Sequence, residues 1–353
     1  MRSSTSANAT AGIAGEMPSD LAGAVTGIGS IPFTSVKSAI EAVASFSPEV
    51  PFWPQLPRLS EAEGIIGQGL GLVADLVESR SEGYGYEVRE GRIDSVMEAL
   101  HKSGGNLTPV NAAGFHALEA AMAARFCPSA LAVKGQIEGP ITLAAYLFYK
   151  GRPFLSDAAL FSAIAFHISQ IVCWQIERLK LFGLPVLLFV DEPALCLQAA
   201  AGKGISEERR LSALAAILED ARARGAFAGL HCCAERPFER MCLAKPDILS
   251  FDAHEGLELF FADRLALDFI RKGGWVAYGM VPTMKRLDAI PAAALFTRWL
   301  KAAALAGDPQ ELANRAMITA TCGLGLLDPS SVAASFNVAH GAGRLIKMLA
   351  GTR

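Results

Sequence analysis

The chain has 353 residues, of which 52% are hydrophobic and 19% charged, so it can bury a large core as one barrel-sized domain or two smaller ones. Its formal net charge of −3 gives no electrostatic reason to expect nucleic acid or an anionic membrane as a partner. Apolar runs such as residues 185–190 are far shorter than the roughly 18 residues of a membrane span. We therefore expect a soluble, cytoplasmic protein.

The N-terminal stretch differs in composition from the rest of the chain. Residues 1–22 are rich in Ala, Ser, Thr and Gly and have no apolar period, which predicts a flexible tail. The stretch also lacks the Arg-rich amphipathic pattern of a transit peptide. We expect one folded domain over residues 23–353.

Short apolar runs alternate with longer helical runs along that domain. The predicted strands cover residues 24–29, 131–137, 186–190, 227–230, 248–251, 276–280 and 316–320. The predicted helices include residues 157–182, 207–224, 255–272, 287–305 and 330–349. An eighth strand is expected between residues 51 and 93, where the pattern is less regular. This alternation predicts a parallel α/β sheet.

Polar residues mark the C-terminal ends of these strands, and their distribution distinguishes two architectures. The residues are Ser30, Glu138, Asp191 with Glu192, His231 with Cys233, Asp252, and Cys322. In an open sheet, reactive groups gather at one switch point, whereas a barrel collects them around one mouth from many strands. The distribution predicts a single-domain (β/α)8 TIM barrel.

The cysteines indicate a metal site rather than disulfides. Seven is an odd number in a chain without a signal peptide, so a disulfide framework is not expected. His231 and Cys233 are two apart, so an extended strand directs both to one face and Cys232 to the other; if the strand ends at His231, Cys232 remains a candidate. With Cys322 they supply the nitrogen and sulfur donors that zinc (Zn2+) binds.

Five motifs carry a family resemblance. They are TGIGSIP from Thr26, GPITL from Gly139, VDEPAL from Val190, HCC from His231 and TCGL from Thr321. In this order they resemble the catalytic C-terminal barrel of cobalamin-independent methionine synthase. They are closer still to the short, single-barrel relatives of that enzyme in the uroporphyrinogen decarboxylase-like superfamily. The resemblance covers the chain from about residue 24 onward.

The resemblance implies a zinc-dependent thiol methyltransferase. In the family an H-x-C pair, a carboxylate and a distant cysteine hold zinc, which correspond here to His231, Cys233, Asp252 and Cys322. At the carboxylate position the synthases carry Glu, so Asp252 is one methylene shorter. His254 and Glu255 are near enough in sequence to compete for that ligand position.

The resemblance also implies a substrate site. Asp191 would bind the amino group of homocysteine, while Ile28, Gly29 and Ser30 would offer donors to its carboxylate. Asp191 and Glu192 form a paired-carboxylate site that is a candidate catalytic pair, or else a pair that caps the following helix. Glu138 is equally compatible with substrate contact and with capping a helix.

The methyl donor is predicted from what the chain does not contain. It has no counterpart of the second, N-terminal barrel of the long folate-dependent enzymes, and no His-Gly-Glu-type stretch between residues 61 and 111. We therefore expect a methylated corrinoid, held on a carrier protein, to be the donor rather than folate. Homocysteine is the expected acceptor, with coenzyme M or another small thiol as alternatives.

Two other classes of function remain open. A metal-free decarboxylase like the namesake of the superfamily would need several arginines, for which Arg58 is the clear candidate, and would not need the His231, Cys233 and Cys322 set. A non-catalytic zinc- or corrinoid-binding module would close its metal site with four protein ligands, whereas catalysis needs an open position.

Overall fold

The computed structural model describes residues 16–197, 204–234, 236–283 and 290–351. Its strands are β1 (Val77–Ser79), β2 (Tyr86–Val88), β3 (Val133–Glu138), β4 (Leu147–Tyr149), β5 (Arg152–Pro153), β6 (Val186–Asp191), β7 (Phe227–Cys232), β8 (Ile248–Asp252), β9 (Trp275–Val281) and β10 (Ala316–Ala320). Its α-helices are α1 (Val36–Phe46), α2 (Ile65–Gly69), α3 (Ile93–His101), α4 (Ala113–Ala123), α5 (Pro140–Tyr146), α6 (Ala158–Leu179), α7 (Glu207–Ala223), α8 (Phe238–Leu243), α9 (Ala253–Ala262), α10 (Arg264–Arg271), α11 (Ala292–Ala306), α12 (Pro309–Ala313) and α13 (Pro329–Ala350).

Six parallel strands form a curled sheet in the order β10-β9-β8-β7-β6-β3. Two extended segments complete the ring through single parallel bridges: Val25 pairs with Ile318, Ser30 with Gln55, and Phe52 with Lys134. The barrel predicted from the strand-end residues is therefore confirmed. The eighth strand is the segment around Phe52 and Gln55, within the range where it was expected.

The first of these segments contains Val25 and Ser30, and the second contains Phe52 and Gln55. Both pair too sparsely to count as regular strands, and the sequence of the second segment explains why. Trp53 N donates to Lys134 O at 3.0 Å and Lys134 N donates to Pro51 O at 2.9 Å. Pro51 and Pro54 have no N–H to contribute, so a continuous ladder cannot form there. Side-chain hydrogen bonds must therefore complete the closure of the barrel.

The barrel interior is apolar at the end where the strands begin. Its buried cluster consists of Leu21, Ala24, Val50, Ala132, Leu187, Phe189, Ile248, Trp275, Ala277 and Met317. Leu21 belongs to a 3-10 turn, Ser19–Leu21, so the folded domain begins before the predicted boundary at residue 23. The rest of the predicted tail, residues 1–15, lies outside the described residues.

Several predicted helices differ in their bounds from the observed ones. The run predicted over residues 255–272 is divided into α9 and α10 at Asp263, whose carboxylate accepts the amide hydrogens of Leu265 and Ala266 and begins a new helix. The helix predicted to start at residue 287 begins at Ala292 as α11, and residues 287–289 lie outside the described part.

A small second sheet, in the order β1-β2-β4-β5, accompanies the barrel and was not predicted. Its strands have only two or three residues each, too few to show an alternating pattern. β1 and β2 form an antiparallel hairpin, while β4 follows α5 directly. This sheet accounts for part of the irregular sequence between residues 51 and 93.

Helix α6 explains the most apolar long segment of the chain. By length and composition alone, Ala158–Phe182 is long and apolar enough to cross a membrane, the one such helix in the described residues. Yet 61% of its apolar window is buried inside the protein, against β3 and neighbouring helices. The apolarity of α6 is thus accounted for by packing.

Buried His167 on α6 gives a pH-dependent contribution to stability. Its Nδ1 lies 2.6 Å from Ser103 Oγ and its Nε2 lies 2.8 Å from Gly69 O, and burial lowers its pKa from 6.5 to about 4. Above pH 6.5 the ring is neutral in both folded and unfolded chains, so its contribution is fully present there. As pH falls from 6.5 towards 4, only the unfolded chain takes up the proton, and the folded state loses stability.

We predict that His167 alone costs about 3 kcal/mol of unfolding free energy between pH 7 and pH 4. Urea unfolding of the unmodified protein and of His167→Gln across this pH window isolates the contribution, because all other titratable groups affect both proteins alike. The difference between the two proteins should shrink as pH falls. A constant difference over the whole window would contradict a neutral buried imidazole.

Candidate metal centre

His231, Cys233 and Cys322 come together at the mouth of the barrel. Their ligand atoms all lie within 4.8 Å of one another, although Cys322 is distant in sequence. His231 is the penultimate residue of β7, Cys233 follows that strand, and Cys322 lies just beyond β10. Cys232 is fully buried in the core on the helix side of β7, as the alternation of strand side chains requires. We call these three residues the triad.

The triad fits a metal ion in both geometry and donor type. His231 Nδ1 lies 2.9 Å from Ser250 Oγ, a contact that orients the ring, whereas buried Nε2 has no hydrogen-bond partner in the described structure. An imidazole held from one nitrogen, with the other free for a ligand, is the usual arrangement of a metal-binding histidine. Two sulfurs and one nitrogen suit zinc and leave a fourth position open.

The two thiols of the triad interact strongly. Hydrogen bonding from Cys233 is the largest cause that lowers the pKa of Cys322, to about 4, and His231 acts in the same direction. The same contact, together with burial, raises the pKa of Cys233. One thiolate is thus already favoured at neutral pH, which is the protonation state a metal ligand needs.

Asp252, predicted as a fourth ligand, does not belong to the triad. It ends β8, and its Oδ1 accepts the amide hydrogen of Glu255 at 3.0 Å, which caps α9. The two competing candidates, His254 and Glu255, lie in α9, with 3.7 Å between His254 Nε2 and Glu255 Oε1. Among the described residues, the group of possible ligands contains three members and no carboxylate.

Two carboxyl groups extend the site along the neighbouring strands. Glu138 is the register partner of Asp191, which in turn pairs with His231, so the three lie at one level of the barrel. Burial raises the pKa of Asp191 to about 6, against the opposing effects of His231 and Lys134. Its Oδ1 has no hydrogen-bond partner in the described structure. Asp191 is therefore placed to receive a donor from a bound molecule.

Glu138 is completely buried, and neither of its carboxyl oxygens has a hydrogen-bond partner among the residues described. Burial raises its pKa well above the ordinary value, and the nearby Asp191 and Glu192 add to this. Gly69 of α2 packs directly on the carboxyl group, since a Cβ there would lie 1.7 Å from Glu138 Oε1. Glu138 was predicted either to contact the substrate or to cap a helix, and no hydrogen bond supports the helix cap.

Glu192, by contrast, has a complete set of partners. Its carboxylate accepts hydrogen bonds from Ile141 N at 2.9 Å, Thr142 N at 2.8 Å and Thr142 Oγ1 at 2.6 Å. It therefore caps α5, the helix after β3, rather than the helix that follows its own strand. Burial still raises its pKa to about 7, because three hydrogen bonds offset only part of the cost of desolvation. The paired carboxylates thus have different environments.

The segment predicted to bind a carboxylate lies beside the triad. Ser30 O accepts the amide hydrogen of Leu324 at 2.8 Å. A Cβ on Gly323 would fall 2.0 Å from Ser30 Oγ, so only glycine fits there without displacement. The loop that carries Cys322 therefore packs directly on Ser30, next to Ile28 and Gly29.

Lys134 and Gln136 are polar residues of the site that sequence reasoning missed. Lys134 is buried, and its Nζ donates to Ile28 O at 2.6 Å and to Gln136 Oε1 at 2.8 Å. Burial lowers its pKa to about 8, which the charge of Asp191 opposes. The available signal was the alternation of Lys134, Gln136 and Glu138 in an otherwise apolar strand, which directs all three into the barrel.

Comparison with known proteins supports the fold. No protein-family model matches the chain, and the curated proteins contain no match. The structure is similar to a methyltransferase from Methanosarcina mazei, with a TM-score of 0.55 and 13% sequence identity, over 90% of this chain and 93% of that one. At this identity the likeness concerns the fold alone. The resemblance to methionine synthases therefore continues to depend on the sequence motifs.

Two further solved structures are more distant. A xylose isomerase-like TIM barrel/4-hydroxyphenylpyruvate dioxygenase fusion protein is 14% identical and has a TM-score of 0.33, over 67% of this chain and 42% of that one. Ochratoxinase from A. niger is 12% identical and has a TM-score of 0.30, over 68% and 63%. These scores are too low to carry an argument.

The different environments of Glu192 and Glu138 predict effects of different size on stability. Glu192→Ala should lower the free energy of unfolding by about 2–4 kcal/mol, because it leaves buried amide donors of α5 unpaired. Glu138→Gln should change it by less than about 1 kcal/mol, because no hydrogen bond is lost. Chemical denaturation of both variants checks this. A larger loss for Glu138→Gln than for Glu192→Ala would contradict these assignments.

Proposed function

We propose that the protein is a zinc-dependent methyltransferase that moves a methyl group to a small thiol, with homocysteine as the acceptor and methionine as the product. The observation that carries the proposal is the triad of His231, Cys233 and Cys322, with an unpartnered imidazole nitrogen at the mouth of a barrel. The fold shared with a methyltransferase adds support for methyl transfer. Reaction in the cytoplasm would keep these thiols reduced.

The chemistry of the donor set agrees with a thiol acceptor. Zinc held by His231, Cys233 and Cys322 would supply an open position where a substrate thiol binds as its thiolate at neutral pH. The protein itself fixes the ligands: Ser250 orients the His231 ring, and the Ser30 segment supports the loop of Cys322. Asp252 caps α9 and lies outside the triad. The proposal does not require it as a ligand.

The substrate would be oriented by residues beside the triad. Asp191, which pairs with His231 and has an unpartnered oxygen, would receive the ammonium group of homocysteine. The segment of Ile28, Gly29 and Ser30, on which the Cys322 loop packs, would face the substrate carboxylate. Glu138 would line the buried wall beside Asp191, while Glu192 holds α5 in place rather than taking part in proton transfer.

For the methyl donor we propose a methylated corrinoid delivered by a carrier protein. The motifs resemble those of short, single-barrel relatives of methionine synthase. A carrier protein would approach the mouth of the barrel, because the triad lies there. Methyltetrahydrofolate should therefore be a poor donor.

We predict about one zinc per chain in the purified protein. Cys233→Ser and Cys322→Ser should each lose it, because an alcohol is a far poorer zinc ligand than a thiolate. Cys232→Ser is the matched control and should retain zinc, since Cys232 is buried on the opposite face of the strand. Elemental analysis after gel filtration provides the measurement. Full zinc content in both ligand variants would refute the metal centre.

With homocysteine and a methylated corrinoid protein, we expect methionine to form. Asp191→Asn should keep zinc yet bind homocysteine about ten- to a hundredfold more weakly, because it removes a charge-assisted contact worth roughly 1.5–3 kcal/mol while preserving shape. Titration of the zinc-loaded protein measures the affinity. Unchanged homocysteine affinity in Asp191→Asn would remove Asp191 from the substrate site.

X-ray absorption of the zinc separates this proposal from its alternatives. Addition of homocysteine should add one sulfur to the zinc shell if the site is open and catalytic. A shell of four protein ligands that no thiol alters would favour a non-catalytic binding module. Protein that contains no metal but decarboxylates a polycarboxylate would favour the decarboxylase. Arg58, the arginine expected for that reaction, donates instead to Leu326 O at 3.0 Å.

A further inference from the structure

Lys134 closes the barrel where the backbone does not. Between the first two segments, the described backbone hydrogen bonds are those that flank the Ser30–Gln55 bridge, from Ile31 N to Gln55 O and from Gln55 N to Gly29 O. The Ile28 carbonyl, next to this bridge, instead accepts a hydrogen bond from Lys134 Nζ at 2.6 Å. One side chain of β3 thus crosses the second segment to hold the first.

Lys134 is itself held firmly. Its Nζ also donates to Gln136 Oε1 at 2.8 Å and lies 4.8 Å from the centre of the Phe189 ring. Gln136 Nε2 in turn donates to Trp53 O at 2.7 Å in the second segment. A buried ammonium group with two oxygen acceptors, an aromatic face and a nearby carboxylate has little freedom to move.

A short series of contacts leads from Lys134 to a triad residue. Ile28 lies two residues before Ser30, whose carbonyl accepts the amide hydrogen of Leu324 at 2.8 Å. Gly323 packs against the same serine so closely that a Cβ there would fall 2.0 Å from its Oγ. Cys322 immediately precedes Gly323, so its sulfur follows the position of the first segment.

We propose that Lys134 is a positioning residue that keeps Cys322 within the triad by fixing the Ile28 carbonyl. The inference rests on the proposed function only in treating the triad as a metal site. Lys134 does not touch the metal ligands, so its effect would pass through Ile28 and Ser30.

Two physical effects of removing Lys134 oppose each other, which makes its role testable. Loss of a positive charge near a cation site would by itself tighten metal binding. Loss of positioning would instead move one thiolate out of the coordination shell and weaken metal binding. Mutation of residues that orient metal ligands commonly lowers metal affinity about 10–100-fold. The direction of the change therefore separates positioning from simple electrostatics.

The experiment uses the full-length protein with cobalt(II) in place of zinc, because the near-ultraviolet thiolate-to-cobalt band grows with the number of bound thiolates. Lys134→Met should give a weaker thiolate band than the unmodified protein and bind cobalt about 10–100-fold more weakly. Lys180→Met is the matched control: Lys180 Nζ also donates to a backbone carbonyl, Arg224 O, at 2.9 Å, but in an exposed position after α6. It should keep the full band.

The outcomes distinguish this inference from the proposed function. If the unmodified protein shows no thiolate band, the metal centre itself is refuted. If it shows a two-thiolate band and folded Lys134→Met keeps that band, only the positioning role is overturned. Should Lys134→Met not fold, Gly29→Ala decides the question, since its Cβ would meet Gln55 Oε1 at 2.3 Å and Gln136 Nε2 at 2.8 Å and displace the same segment. A reduced band then supports the role, and a full band overturns it.

Discussion

The barrel closes across a seam where backbone hydrogen bonds are sparse, and polar side chains inside the barrel complete it. Pro51 and Pro54 cannot donate, so the second segment forms only isolated bridges with its neighbours. Lys134 and Gln136 reach the carbonyl groups of Ile28 and Trp53 instead. Because an unpaired buried carbonyl costs free energy, these bonds help to fix the two segments, in addition to the backbone hydrogen bonds that the segments make. The loop that carries Cys322 packs on the first segment, at Ser30.

The barrel interior is divided along its axis. Aliphatic and aromatic side chains fill the end where the strands begin, and charged or polar ones occupy the end where they finish. Buried charges need compensation, and the three carboxyl groups near the mouth obtain it to different degrees. Glu192 has three hydrogen bonds, Asp191 has the Lys134 ammonium group and the His231 ring nearby, and Glu138 has no hydrogen bond in the described structure. The hydrogen bonds of Glu192 thus suit it to a structural task, whereas Asp191 and Glu138 keep carboxyl oxygens without a hydrogen-bond partner in the described structure.

The triad depends on two features of parallel strands. Their carboxyl ends meet at one mouth, which brings Cys322 to His231 although the two are far apart in the chain. Alternation along β7 separates adjacent cysteines, so that Cys232 packs in the core and Cys233 faces the mouth. A bound cation would also balance the negative charge favoured at Cys322. The proposed chemistry thus follows from strand geometry and from local charge.

The sequence by itself determined the barrel and the three triad residues, because strand periodicity and residue type are local properties. It also located most strands, since buried parallel strands read as short apolar runs. It did not separate Glu192 from Asp191, because the amides that Glu192 caps belong to α5, reached only through the β3–β6 pairing. Nor did it show that Asp252 caps α9 outside the triad. The role of Lys134 was decided by tertiary structure alone, since its partner Ile28 lies far away in the chain and closure of the barrel brings them into contact.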